Sequence, residues 1–245
     1  MTEMTSPAPL ARTAVIVGAS GGIGAALVQA VSERGEVERV FALSRRRPLD
    51  LPPKASWLSI DLEREATIDA AAAAIGEADL VIVATGLLQD QRQAVERSYR
   101  ALTTEAMARS YLINTIGPAL VAKAFLPRLP KDRRSVFAVL SARVGSISDN
   151  GLGGWHSYRA SKAALNMMVR TLSIEVRRER PLALCVALHP GTVATPLSAP
   201  FQKGVPTEKL FPPELAAEQL LRVVEGLSPR DSGRFFAWDG SEIAP

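Results

Sequence analysis

The 245-residue chain carries 29 Lys and Arg against 25 Asp and Glu, a formal charge of +4, and is 47% hydrophobic. That balance suits a folded α/β core with polar surface and argues against a disordered chain. It also argues against a nucleic-acid binder, whose positive charge would gather into a stripe; the compact basic clusters are Arg45-Arg46-Arg47 and Arg177-Arg178. Cys185 is the one cysteine, which excludes an intrachain disulfide and a metal site built on paired thiolates. With only two histidines, a zinc site has little support. No apolar window is long enough to cross a bilayer and the N-terminus lacks a signal-peptide pattern, so the expectation is a cytoplasmic protein without a membrane partner.

Residues 1–11, rich in Ser, Thr and Pro, read as a flexible lead, and residues 12–245 as a single domain. Short β-branched runs alternating with alanine-rich helical stretches predict βαβ units and a largely parallel sheet. A first strand is expected over Thr13 to Val17 and a helix from about Gly22 to Arg34. Strands follow at Arg39 to Leu43 and Ala55 to Ile60, then a helix over Glu63 to Ile75 whose first acids favour its dipole. The fourth strand spans Asp79 to Ala84. From Leu87 to Leu102 the pattern supports no assigned state. Thr103 or Thr104 caps a long helix reaching Phe125, bent or interrupted at Gly117-Pro118. After a strand at Val136 to Leu140 and a Gly- and Ser-rich loop comes a long helix from Trp155 to Arg178. A strand at Ala183 to Leu188 leads into an irregular, proline-rich stretch, Pro190 to Pro213. That length of connection suggests a mobile substrate lid, or else a plain surface excursion. A helix at Glu214 to Gly226 and a strand at Arg234 to Ala237 complete the order.

Three places carry chemistry. The run Val15-Ile16-Val17-Gly18-Ala19-Ser20-Gly21-Gly22-Ile23-Gly24 joins the first strand to the first helix. Glycines there permit a tight turn and close approach of backbone to a pyrophosphate, and the helix start offers free N–H groups. Gly18, Ser20, Gly22, Ile23 and Gly24 are the candidate cofactor contacts. A glycine cluster also serves ordinary turns; its position between strand and helix is what points to a dinucleotide. At the end of the second strand the chain reads Ser44-Arg45-Arg46-Arg47, with no acid to receive an adenosine ribose. Arg45, with Ser44 as a further donor, suits the extra phosphate of NADP rather than NAD, unless the cluster is only a solvated loop. Asp61 and Leu62 would reach the adenine, or Asp61 would cap the next helix. Ala84-Thr85-Gly86 would leave room for the middle of the cofactor, Ala84 and Gly86 lining it.

The third place is Tyr158-Arg159-Ala160-Ser161-Lys162. Residues four apart share a helix face, so phenol and ammonium converge, and the ammonium is expected to lower the tyrosine pKa toward a range useful for proton exchange. In isolation such a pair is an ordinary surface pair.

Taken together, Gly18-x-x-x-Gly22-x-Gly24, Asp61-Leu62, Asn114, Tyr158-x-x-x-Lys162 and Pro190-Gly191-x-Val193-x-Thr195 resemble the short-chain dehydrogenase/reductase family over essentially the whole chain after the lead. Ser141-Ala142-Arg143-Val144-Gly145-Ser146-Ile147 and Gly153-Gly154-Trp155 look closest to the C-factor-like and Sniffer-like carbonyl reductases. The resemblance implies a Rossmann-type, doubly wound parallel sheet flanked by helices and a nicotinamide cofactor, here NADP. It implies hydride exchange with a small carbonyl or alcohol, and a homodimer or homotetramer. Tyr158 would be the general acid, Lys162 would position the ribose and perturb Tyr158, and Asn114 would support a water-linked proton relay. Pro190, Gly191, Val193 and Thr195 would join the cofactor contacts. Asn114 alone would read as a helix-bend residue. The family's serine falls three residues before Gly145, where this chain has Ala142; Ser141 is the substitute expected, with Ser146 or Ser148 as alternatives. The expected function is NADPH-dependent reduction of an aldehyde or ketone, or the reverse oxidation. The alternative is a noncatalytic or weakly catalytic NAD(P)-binding signalling protein of C-factor-like type. His156 reads as a packing residue and His189 as lining a loop or cavity.

Overall fold

The computed structural model describes residues 10–245. Of the expected flexible lead, residues 1–9 lie outside the described residues. Leu10 and Ala11 are buried at 2% and 4% exposure among Val28, Val31 and Val37, so the packed chain starts two residues earlier than expected. Both are apolar, and burying them against the first helix removes that surface from water.

Seven parallel strands form the main sheet: β1 (Thr13–Val17), β2 (Arg39–Ser44), β3 (Ala55–Ser59), β4 (Leu80–Val83), β5 (Ser135–Leu140), β6 (Ala183–His189) and, last in the chain, β9 (Phe235–Ala237). Their spatial order is β3-β2-β1-β4-β5-β6-β9. The central strands are buried on both faces, as continuous runs such as LVIV in β4 require. One face packs against α2 (Glu65–Ile75), α4 (Gly117–Phe125) and α5 (His156–Glu179), and the other against α1 (Gly22–Ser32) and α6 (Pro213–Gly226). The chain moves outward from β1 to β3 and then returns to β4 on the other side of β1, which opens a crevice beyond the carboxyl ends of β1 and β4.

Three assignments change. The helix expected from Thr103 or Thr104 to Phe125 is α3 (Thr104–Tyr111), then a π-turn over Leu112–Ile116, then α4. Thr103 is the cap, its hydroxyl accepting from the Ala106 N–H. The interruption falls one turn before the expected Gly117-Pro118 bend. Pro118 has no N–H to return to the carbonyl of Asn114, and the Gly117 N–H bonds five residues back to Leu112. In the second change, α2 starts at Glu65 rather than Glu63, and Asp61 does not cap it: Arg64 holds the cap position while the Asp61 carboxylate accepts from the Glu63 N–H. In the third, the irregular Pro190–Pro213 stretch contains a parallel ribbon, β7 (Thr192–Val193) with β8 (Leu210–Phe211). Gly191 lies at φ +76°, where a Cβ would meet the Phe211 ring at 2.7 Å.

At the opposite edge of the sheet the buried carboxylate of Asp79 joins neighbouring strands. It accepts from the Arg12 and Thr13 N–H groups at 3.1 and 2.9 Å and pairs with Arg133 at 2.7 Å. Asp79→Ala would strand those donors, and the expected cost is about 3 kcal/mol in denaturant unfolding; a loss below about 1 kcal/mol would show that the strand ends find other partners.

Candidate active site

The crevice at the strand reversal begins with the glycine turn. Gly18 takes φ +92°, where a Cβ would meet the Ala84 backbone at 3.0 Å, and a Cβ on Gly24 would fall 2.1 Å from the Gly18 carbonyl oxygen. A Cβ on Gly22 would meet the Thr195 methyl at 2.8 Å. The turn is therefore closed to side chains at three positions, and the start of α1 faces the crevice with no side-chain cap on its N–H groups. The crevice is lined by Gly18, Ser20, Gly22 and Ile23, by Ser44 and Arg45, by Asp61 and Leu62, by Ala84 and Gly86, and by Thr195. Gly24 sits beneath it as a packing glycine. These residues fit a dinucleotide: a backbone cradle, an uncapped helix start, and exposed Arg45 to Arg47, which form no ion pair among the described residues. Ser44 departs from the role expected of it. Its hydroxyl donates to the Arg46 carbonyl at 2.7 Å and accepts from Trp57 Nε1 at 3.2 Å, so its proton shapes the arginine turn.

A second cavity of about 440 Å³ adjoins the crevice and shares Ile23, Thr195 and Leu197 with it. Its walls bring together Tyr158, Ser141, Ala142, His189 and Trp155, with Leu197 and Phe201 also lining it. Pro190, Gly191 and Val193 lie on this wall. Helix α5 supplies the chemistry. Tyr158 and Lys162 lie one turn apart, with the Lys162 ammonium 5.9 Å from the Tyr158 ring centre. Lys162 Nζ donates to the Leu140 carbonyl at 2.8 Å, which ties α5 to the end of β5. A Cβ on Gly86 would sit 3.7 Å from that nitrogen and 3.8 Å from Asn114 Oδ1, so the end of β4, the π-turn and α5 converge here.

Asn114, fully buried, is held from both sides. The Leu87 N–H donates to its Oδ1 at 2.7 Å, and its Nδ2 donates to the Leu87 carbonyl at 2.8 Å and to Ser161 Oγ at 3.0 Å. Ser161 Oγ in turn donates to the Tyr158 carbonyl. The side chain expected in a proton relay thus anchors α5 to the segment after β4.

Burial, rather than their mutual proximity, governs the acid and base. It pushes Tyr158 up to about 12 and Lys162 down to about 7. The expected lowering of the phenol by the ammonium is absent, because desolvation disfavours the charged form of both members of the pair.

Ser141 is buried and its hydroxyl donates to Asn166 Oδ1 at 2.7 Å. The alternatives are engaged elsewhere: Ser146 Oγ accepts from the Asp149 N–H, and Ser148 Oγ donates to the Pro245 carbonyl. Neither reaches the cavity wall.

One residue escaped the sequence, and so did the role of another. Glu96, inside the unassigned stretch Leu87 to Leu102, is buried at 4% and meets the start of α5: its carboxylate accepts from the Ser157 N–H and hydroxyl, and its carbonyl accepts from the Trp155 N–H at 2.6 Å. A negative group there satisfies the free N–H groups and complements the helix dipole. Sixty-one residues separate Glu96 from Ser157, so no local pattern signals it. The second is Trp155, at φ 52°, a conformation that costs a non-glycine residue about 1 kcal/mol. That turn places the indole 4.8 Å from the Phe201 ring and edge-on to Tyr158 at 6.4 Å, as a wall of the cavity.

Among the described residues no helix is long and apolar enough to cross a membrane. Comparison with known proteins agrees with the geometry. The short chain dehydrogenase family matches residues 12–205. The C-signal protein of Myxococcus xanthus is 40% identical over 137 residues, 56% of this chain and 77% of that protein. A 1-hydroxy-2-glutathionyl-2-methyl-3-butene dehydrogenase of Rhodococcus sp. (strain AD45) is 30% identical over 234 residues, 94% of this chain and 97% of its own. The NADPH-bound carbonyl reductase from chicken fatty liver superimposes with a TM-score of 0.80 at 28% identity, covering 96% of this chain and 99% of that one. With a parallel Rossmann-type sheet, a glycine cradle at its switch point and Tyr158 and Lys162 on the facing helix, the chain belongs to the short-chain dehydrogenase family.

Proposed function

We propose that this protein reduces an aldehyde or ketone with NADPH, or runs the reverse oxidation. The observation that carries the reading is that the Tyr158 and Lys162 pair joins the two chambers: Tyr158 lines the apolar cavity while Lys162, one turn on, lies beside Gly86 of the nucleotide crevice. Similarity to the chicken carbonyl reductase supports the same substrate class, and similarity to the C-signal protein supports a C-factor-like or Sniffer-like placement within the family.

Bound NADPH would supply the hydride. Tyr158, which keeps its proton because burial holds the phenol at about 12, delivers it to the carbonyl oxygen as the alcohol forms. Lys162, fixed by the Leu140 carbonyl, would hold the ribose of the bound cofactor through its N–H groups. Asn114 holds the Tyr158 turn in place through Ser161. Leu197 and Phe201, from the stretch between β6 and α6, cover the substrate and exclude water. Arg45 selects NADP through the extra phosphate, the end of β2 carrying no acid to favour NAD.

A cytoplasmic homodimer or homotetramer fits this reading. Met167 and Ile174 of α5 expose 65% and 48% of their surface one helical face apart from the site, apolar area that a second copy would cover. The chain would then act as a single domain over residues 10–245. A second reading, nucleotide binding without turnover, is favoured by one observation, the Ser141 hydroxyl committed to Asn166.

Two outcomes are expected. Tyr158→Phe should lower kcat for NADPH oxidation with a carbonyl by ~10²-fold or more while the NADPH dissociation constant stays within a few-fold. A variant that turns over like the parent protein would refute the proton role, and a parent protein that binds NADPH yet oxidises it with no carbonyl would establish the second reading. Arg45→Ala should weaken NADPH by about 10-fold or more and leave NADH nearly unchanged in a fluorescence titration; equal losses for both would remove Arg45 from cofactor choice.

A further inference from the structure

The wall of the cavity lacks the hydroxyl that the family places opposite its tyrosine. Ala142 stands there, and Ser141, Ser146 and Ser148 are turned to other partners. The same wall holds a polar side chain with a buried nitrogen left unpartnered. His189 is the last residue of β6, and its Nδ1 is buried without a hydrogen-bond partner among the described residues. Strand alternation sets its direction. Ala187 packs with Leu165 and Val169 of α5, and Leu188 packs with α6, so His189 projects to the α5 face that carries Tyr158 and Lys162. In the strand beside it, Ser141 N–H donates to the Leu188 carbonyl, which sets the imidazole next to the Ser141-Ala142 step.

We propose that His189 hydrogen-bonds the substrate's carbonyl oxygen, supplying from β6 the donor that Ala142 cannot supply from the loop after β5. The inference rests on the carbonyl-reductase reading above. The ring is suited to the task as a neutral donor. Burial and the charge of Arg143 hold it down to about 4, against the opposing pull of Asp239, and Arg143 is itself paired with Asp149 at 3.3 Å. A neutral imidazole carries one N–H, which can polarise a carbonyl while competing little with Tyr158 for the role of acid. A mostly apolar pocket in which a neutral imidazole stands on the same wall as the Tyr158 phenol fits an uncharged aldehyde or ketone.

The test is steady-state NADPH oxidation with a panel of aliphatic and aromatic carbonyls, including hexanal, 4-nitrobenzaldehyde and acetophenone. His189→Phe, His189→Gln and the double variant His189→Phe with Ala142→Ser would be compared with the parent protein. NADPH affinity and thermal midpoint are measured in parallel to confirm a folded, loaded protein. We expect His189→Phe to lower kcat/KM by ~10²-fold with NADPH affinity within about twofold. His189→Gln, which keeps an N–H donor, should recover part of the loss, and the Ala142→Ser change should recover part of it in the Phe background. If His189→Phe does not fold, a His189→Gln rate near that of the parent with a restored donor, against a far slower His189→Leu, makes the same distinction. Unimpaired turnover in His189→Phe, or equal loss in His189→Gln and His189→Phe with no recovery from the serine, overturns the role of His189 alone. A parent protein inert toward the whole panel while binding NADPH overturns the carbonyl-reductase reading and this role with it.

Discussion

All seven strands of the main sheet run parallel, so their carboxyl ends share one edge, and everything chemical in this protein stands on that edge. Gly18 follows β1, Ser44 and Arg45 close β2, Asp61 follows β3, Ala84 to Gly86 follow β4, Ser141 follows β5 and His189 ends β6. Parallel pairing requires a crossover after each strand, and the helices that make those crossovers cover both faces. The edge is thus left open where the strand order reverses, between β1 and β4, and the crevice forms there by geometry before any side chain is chosen.

Helix α5 brings the second half of the site to that edge, and it is positioned by polar contacts in an apolar setting. Lys162 on the Leu140 carbonyl, Asn114 through Ser161, Thr115 on the Ser161 carbonyl and Glu96 at the first turn each bury a polar group with its partner in place. An unpaired group in that setting costs about 1–3 kcal/mol, so each contact is strongly directional. A shift of α5 by one residue would strand several of them together. Gly145 marks how closely the loop after β5 crosses this helix, since a Cβ there would meet the Lys162 backbone at 2.9 Å. The same dryness sets the protonation of the pair: low dielectric favours neutral phenol and neutral amine, and the outcome for Tyr158 is opposite to what the adjacent ammonium alone would give.

The π-turn at Leu112–Ile116 and the left-handed Trp155 both sit beside the site. The turn aims Asn114 at Leu87 and Ser161, and the Trp155 conformation swings its indole against Phe201 and Tyr158. Irregular backbone of this kind persists only where its surroundings over-determine it. Here the determinants are Pro118 on one side and Glu96 on the other.

Much of this was legible along the chain. The strands from Thr13 to Val17 and from Ala183 onward, the glycine turn, and the shared face of Tyr158 and Lys162 are properties of neighbours, because periods of two and of about 3.6 residues are written locally. The same holds for the absent acid after β2 and for Ala142 three residues before Gly145. Direction and partnership were not legible. That Ser141 turns to Asn166, that Ser44 spends its proton on Arg46 and Asp61 leaves its helix uncapped, that Leu10 and Ala11 join the core, and that Glu96 closes α5 all depend on which groups meet in space. Several of those partners lie 25 to 61 residues apart, and burial, which decided the proton affinities of Tyr158 and Lys162, belongs to the assembled layers rather than to any segment.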